Sequence, residues 1–264
     1  MAEEEEASPK RPIWTGTVTV GLVNVPVKLY SMIYDKGISF RFLHKADGQP
    51  LKYERICTKD EKIVPWKDVV KGYEVGKDKF IIFEKEELEA FKPESEQRIR
   101  IDKFVDRLSV DPTYFDREYI LTPDKNNEAY SLLLTALQEL GKAGIGRITL
   151  RTKEYPAIVQ PYKGALVLTT LRYPYEVAEP SSLEELNKLK EPNKKELDVA
   201  KKIISSLTGD FDITEYQDGY KEKIEELIEK KMKGEIITVK KPVKEEAKVL
   251  MVALQETLQQ LKKK

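Results

Sequence analysis

Cysteine and histidine each occur once in the 264 residues, as Cys57 and His44. A single cysteine excludes an internal disulfide and fits a reducing cytoplasm. One cysteine and one histidine do not make a structural zinc site unaided. Without a second histidine candidate, no serine or cysteine triad can be assembled. No metal, cofactor or catalytic residue is therefore expected. No run of about 18 apolar residues is present, so no membrane span is expected either. Met1-Ala2 is followed by four glutamates, Glu3 to Glu6. That is the reverse of the basic-then-apolar layout of a secretory signal. The formal net charge is zero, which argues at first sight against a nucleic-acid binder.

The zero sum hides an uneven distribution. Residues 11–76 hold 11 basic and 7 acidic side chains, net +4, and residues 129–175 hold 6 and 2, again net +4. Between them, residues 77–128 hold 10 and 14, net −4. Residues 176–264 are nearly balanced, at 18 and 19, and the first ten residues add −3. Two basic segments in a neutral chain fit a local anionic partner. A solvated Lys/Glu-rich surface fits the charges as well.

Hydrophobic residues make up 40% of the chain, enough to fold. Thr15, Thr17 and Thr19 alternate with Gly16, Val18 and Val20, the period of a half-buried strand. Gly21 and Asn24 break the run, and Pro26 suits a strand start or edge. Strands are predicted over 15–20, 26–33, 79–83, 97–101, 117–121, 145–152, 155–161 and 164–172. A short helix is predicted over 86–91. A longer one over 130–140 carries Leu133, Leu134, Leu137 and Leu140 on one face, with Gly141 as its stop. Many strands with one helix and Gly/Pro turns predict a mainly β fold with some α, built on a β-barrel core.

Beyond Pro180 the pattern turns helical. Ser182 with Glu185 reads as a capping box. Asn193 caps a helix over 194–207 with Leu197, Ala200, Ile203, Ile204 and Leu207 on its apolar face and Gly209 as its stop. Asp212 with Glu215 reads as a further box, opening a helix with Tyr216, Tyr220, Ile224, Leu227, Ile228 and Met232 on one side. Lys244 to Lys264 place Leu250, Leu254, Leu258 and Leu261 on one stripe. No internal repeat is evident, and Glu3–Glu6 is expected to be disordered.

Two short motifs suggest enzyme chemistry and carry little. Lys45-Ala46-Asp47-Gly48 fits the Lys-x-Asp-Gly pattern on which DNA ligases form a lysyl-adenylate. Pro50, however, stands where ligases usually carry Arg, and Asp47-Gly48 reads equally as a turn. Gly141, Gly144 and Gly146 follow a helix and precede a strand, the wrong order for a phosphate loop, and helix termination is the expected role. The fuller signal is a segment without helical period that interleaves cations with aromatics and turns. Its cations are Lys36, Arg41, Lys45, Lys52, Arg55, Lys59, Lys62, Lys67 and Lys71. Following a phosphate backbone requires such spacing, because each neutralised phosphate releases condensed counterions whatever the base sequence. The residues alone leave open an exposed, salt-bridged insertion.

The wording of several stretches goes further. Gly21-Leu22-Val23-Asn24-Val25-Pro26-Val27-Lys28-Leu29-Tyr30 closely resembles the opening of bacterial Ku, a family of DNA-end-binding proteins of non-homologous end joining. Phe40-Arg41-Phe42-Leu43-His44-Lys45 and Tyr53-Glu54-Arg55-Ile56-Cys57 resemble the family's bridge segment. Val69-Val70-Lys71-Gly72-Tyr73-Glu74 is similar to its exit. Asp111-Pro112-Thr113-Tyr114-Phe115-Asp116, Tyr119, Leu121-Thr122-Pro123-Asp124, Gly164 to Leu168 and Leu171-Arg172-Tyr173 match in order and spacing. Tyr216 to Tyr220 through Leu227-Ile228 and Lys231 resembles the C-terminal helical arm. Coverage runs from about Ile13 to Gly234.

The resemblance implies a ring-shaped homodimer whose bridge arms encircle duplex DNA threaded from its end. It divides the chain into an acidic N-terminus (1–12), a barrel core (13–177) with its bridge arm at about 36–76, a dimerising helical arm (178–234) and a tail helix (235–264). In the family the tail recruits a ligase D-type DNA ligase, here through Leu250, Leu254, Leu258 and Leu261. By position, Arg41, Lys45, Lys52, Arg55, Lys59, Lys62, Lys67 and Lys71 are the first set of DNA contacts. Arg147, Arg151, Lys153, Lys163 and Arg172 form a second set that lines the barrel's cradle, where strand alternation lets only some face DNA. Trp14 and Trp66 are expected in core or hinge packing. The implied role is non-enzymatic protection of DNA ends in the cytoplasm, on the nucleoid. An adenylating ligase at Lys45 and a mainly partner-recruiting scaffold are the alternatives, and weak lyase chemistry stays open. The chain departs from many members in lacking a Cys-x-x-Cys pair, since Asp60 stands three positions after Cys57. Its basic tail is reduced to Lys262–Lys264, and no domain is expected ahead of the barrel.

Overall fold

The alternating threonines and valines form β1 (Trp14–Val20), and Gly21, at φ +57°, turns the chain into β2 (Val23–Ser31). The two strands pair antiparallel, with Val18 opposite Val25. The computed structural model describes residues 11–91, 97–125 and 127–234. Glu3–Glu6 and the leucines 250, 254, 258 and 261 lie outside these residues.

A hairpin of β3 (Lys71–Gly76) and β4 (Lys79–Phe83), then α1 (Lys85–Ala90), precede the return to the barrel. There follow β5 (Arg98–Asp106), β6 (Phe115–Pro123), α2 (Asn127–Leu140), β7 (Lys142–Leu150), β8 (Lys153–Tyr162) and β9 (Ala165–Leu171). Seven strands close into a barrel in the order β1-β2-β6-β9-β8-β7-β5. Parallel pairing of β1 with β5 closes it, and every other neighbouring pair is antiparallel. Closure leaves the barrel itself no free strand edge.

The period of two fills the barrel. Val25, Val27 and Leu29 of β2, Leu121 of β6, Val159 of β8, and Leu166 and Leu168 of β9 are fully or almost fully buried in one cluster with Val18, Ile99 and Ile148. Helix α2 packs on this cluster through Tyr130, Leu133, Leu134 and Leu137. Leu140, on the same face by spacing, is exposed at the helix end where Gly141, at φ +63°, turns the chain away. Helix termination accounts for Gly141 alone. Gly144 and Gly146 lie inside β7, where a Cβ on Gly146 would meet the Arg100 carbonyl oxygen at 1.9 Å. Close approach of β5 is therefore what Gly146 provides.

The chain divides into two units. One takes in residues to Lys36 and 41–178, and the other takes in Gly37–Phe40 and the residues from Glu179 onward. The second unit holds α3 (Glu184–Asn187), α4 (Lys194–Leu207) and α5 (Gly219–Met232). Asn193 caps α4 as expected, its side-chain oxygen accepting from the Lys195 N–H at 2.9 Å. The other caps differ. Ser182 turns its hydroxyl back to the Glu179 carbonyl, so no box forms with Glu185. Asp212 caps only the short 3-10 turn Ile213–Glu215, and α5 starts later because Asp218 accepts from the N–H groups of both Tyr220 and Lys221. The end of α4 is set by Thr208, extended and bonded to the Ile204 carbonyl, one residue before Gly209.

Tyr130 joins α2 to the barrel. Its buried hydroxyl donates to the Leu121 carbonyl at 2.6 Å and accepts from the Leu166 N–H at 2.8 Å. Tyr130→Phe leaves both backbone groups without that partner, and a buried unsatisfied group costs about 1–3 kcal/mol. Urea unfolding is expected to show a loss in that range, whereas unchanged stability would mean the two groups find solvent.

Candidate nucleic-acid interface

The segment between β2 and β5 cannot hold itself together by burial. No described residue from 32 to 91 is buried. Phe40, Phe42, Tyr53, Trp66, Tyr73 and Phe80 are all exposed. What shapes the segment is local hydrogen bonding.

Two turns with the same bonds lie 13 residues apart. In the first, the Gly48 N–H donates to the His44 carbonyl, the His44 N–H to the Gln49 carbonyl, and Leu43 bridges Pro50. In the second, the Glu61 N–H donates to Cys57, the Cys57 N–H to Lys62, and Ile56 bridges Ile63. Gly48 and Glu61, at φ +70° and +55°, occupy the same left-handed position. The side chains match as well. Asp47 accepts from the Gln49 N–H at 3.1 Å, and Asp60 from the Lys62 N–H at 3.4 Å. The Gln49 N–H and then His44, whose Nδ1 is 3.0 Å away, hold the Asp47 carboxyl below its ordinary range. The Cys57 thiol and then Lys62 do the same for Asp60. This is an internal repeat that the sequence conceals, because only the aspartates are identical between the turns. Among the described residues no cluster of three or more His, Cys, Asp or Glu side chains is placed to hold a metal ion.

Around these turns stand the cations of the first set. Arg41, Lys45, Lys52, Lys59, Lys67 and Lys71 are exposed and make no ion pair among the described residues. Lys62 pairs with Asp60 at 3.3 Å. The Arg55 guanidinium lies 4.4 Å from the centre of the Trp66 ring. Trp66 is 71% exposed, so it is a platform for Arg55 rather than core packing, a role the order of residues did not reveal. Trp14 does pack against the barrel core, half-buried.

The second set is differently placed. Arg147 sits 3.8 Å from Asp102 and 3.6 Å from Glu154. Lys153 pairs with Glu176 at 3.2 Å and lies over Tyr155. Arg172 pairs with Asp116 at 3.3 Å and donates to the carbonyls of Thr113 and Phe115. These three are thus held by acidic partners within the barrel unit. Arg151 and Lys163 occupy the β7–β8 and β8–β9 turns at positive φ, without an ion pair among the described residues. The structure thus gathers eight cations on the segment before β5 and leaves two of the barrel five unpaired.

Lys45 lines neither described cavity. One, about 560 Å³, opens at a barrel mouth between Trp14, Glu118, Tyr119, Arg151 and Tyr155. The other, about 400 Å³, lies beside Leu108, Leu137 and Tyr162. Lys45 stands exposed on its turn rather than in an enclosed site. No described helix is long and apolar enough to cross a membrane.

Residues 19–199 match the Ku family, described as the Ku70/Ku80 beta-barrel domain. The chain is 40% identical over 250 residues to the non-homologous end joining protein Ku of Anaeromyxobacter sp. (strain K), covering 94% of this chain and 83% of that one. It is 38% identical over 253 residues to the protein of the same name from Archaeoglobus fulgidus, covering 96% and 100%. The protein of that name from Bacillus subtilis (strain 168) is 36% identical over 251 residues, covering 93% and 81%.

Proposed function

Because the chain belongs to the Ku family, we propose that it is a non-enzymatic binder of double-stranded DNA ends in non-homologous end joining. In this reading a homodimeric ring forms on the nucleoid, encloses duplex ends without regard to sequence, protects them and recruits a ligase D-type DNA ligase. The observation that carries it is the contrast between the two sets of cations. An extended segment with no core of its own holds Arg41, Lys45, Lys52, Lys59, Lys67 and Lys71 free of ion pairs among the described residues. Arg147, Lys153 and Arg172 of the barrel are already neutralised. Unpaired cations on an exposed track gain most from phosphate, because no existing ion pair has to break. Backbone contacts position a duplex and carry no sequence information.

The dimer accounts for the second unit. No described residue from 179 to 234 is buried, and Ile204, Leu207, Phe211, Ile213, Tyr216, Tyr220 and Met232 are all exposed. Amphipathic helices of 14 residues whose apolar sides stay largely exposed among the described residues gain little stability alone. A second copy of the chain is the cover the family resemblance implies. A closed ring then supplies specificity by topology, since it loads only where the duplex ends.

Reversing Lys52, Arg55 and Lys59 to Glu should abolish duplex binding while sedimentation still reports a dimer. Loss of the dimer as well would place these side chains in the subunit interface. With about 6–10 phosphate contacts, wild-type affinity should fall ~10³–10⁵-fold between 50 and 200 mM salt, and a flat profile would contradict an electrostatic track. Deleting residues 244–264 should leave DNA binding in place and reduce stimulation of the ligase. Undiminished stimulation would put the recruiting surface elsewhere.

A further inference from the structure

The cationic segment keeps acids that charge alone would remove. Residues 36–76 carry nine basic and six acidic side chains, net +3, and without Asp47 and Asp60 the net would be +5. Opposite a polyanion both aspartates repel. Yet each occupies the same place in one of the repeated turns, where its carboxylate accepts the N–H two residues on. This is the Asx-turn bond, in which a short side chain substitutes for a backbone acceptor. The Asp47 carboxylate also lies 3.0 Å from the His44 Nδ1, and that of Asp60 lies 3.3 Å from the Lys62 Nζ.

We propose that Asp47 and Asp60 are positioning residues for DNA contact, clamping the two turns so that Lys45 and Lys59 stand where phosphates lie. The inference rests on the DNA-binding reading above. Lys45 lies inside the first turn and Lys59 inside the second, with Lys62 at its close, so the turn conformation decides where their stems begin. Burial cannot fix that conformation, since nothing in the segment is buried. The second turn depends on its clamp more, because Glu61 holds a left-handed φ that glycine adopts freely and that Gly48 takes in the first. An unclamped loop must order its cations on binding, and that entropy weakens the complex.

The test compares alanine with asparagine, which keeps the acceptor oxygen and drops the charge. The D47A/D60A pair should bind a linear duplex roughly 10-fold more weakly despite its more positive charge, with a salt slope shallower by about 1 for each turn whose phosphate contact is lost. The D47N/D60N pair should bind at least as tightly as wild type. D60A alone should weaken binding more than D47A alone. Thermal melting of the barrel, followed in parallel, should be unchanged in all four. Alanine variants that bind as well as wild type would overturn the proposal and make the acids mere repulsion. Asparagine variants as weak as alanine would overturn it too, assigning the effect to the charge. Wild type that binds no duplex would instead overturn the DNA-binding reading together with this inference.

Discussion

Burial in this chain is concentrated in one place. The closed seven-stranded barrel and the helix packed on it contain every described buried side chain, from Val18 in β1 to Thr170 in β9. Hydrophobic burial is the dominant favourable contribution to folding, so the rest of the chain must be held by other means. The barrel consequently acts as an anchor. It fixes where β2 ends and where β5 begins, and the long cationic segment is tethered at both of those points. One of those strands, β5, also closes the barrel by pairing parallel with β1.

The regions outside the barrel meet this constraint in two ways. The segment from 32 to 91 uses local bonds: Asx turns, a two-stranded hairpin, and an arginine stacked on a tryptophan. Such bonds define shape without requiring a core. They leave long aromatic and cationic side chains in solvent, where an anionic partner can reach them. The helices after Glu179 use caps, with Asn193 and Asp218 satisfying N–H groups that the helices leave open. Caps start a helix, but they do not cover an apolar face. Ile204, Leu207 and Tyr220 stay exposed, the kind of surface that the proposed homodimer would cover.

The sequence showed the barrel strands clearly, because alternation is written directly in residues such as Val25, Val27 and Leu29. It undercounted where alternation was weak. Strand β3 passes through Lys71, Gly72 and Glu74 and shows no buried side, so it left no trace. The cap assignments succeeded at Asn193 and failed at Ser182 and Asp212. At Ser182 a nearer carbonyl takes the hydroxyl, and Asp212 caps only a short turn while Asp218, further along, caps the helix. The cationic positions were legible as a pattern. Their pairing was not, because Asp102, Asp116 and Glu176 reach Arg147, Arg172 and Lys153 only through the fold. The repeated turns were hidden for a related reason. They share hydrogen bonds and a left-handed residue, while His44 and Cys57, or Gly48 and Glu61, share little chemistry.

An account in which topology supplies specificity is tested most directly by presenting one duplex in two forms at equal salt. One form is linear with free blunt ends, and the other has both ends closed by bulky blocking groups. The account predicts binding to the free-ended form only, with two chains on each loaded duplex end. Equal binding to both forms would contradict it, leaving a basic surface that holds DNA from one side.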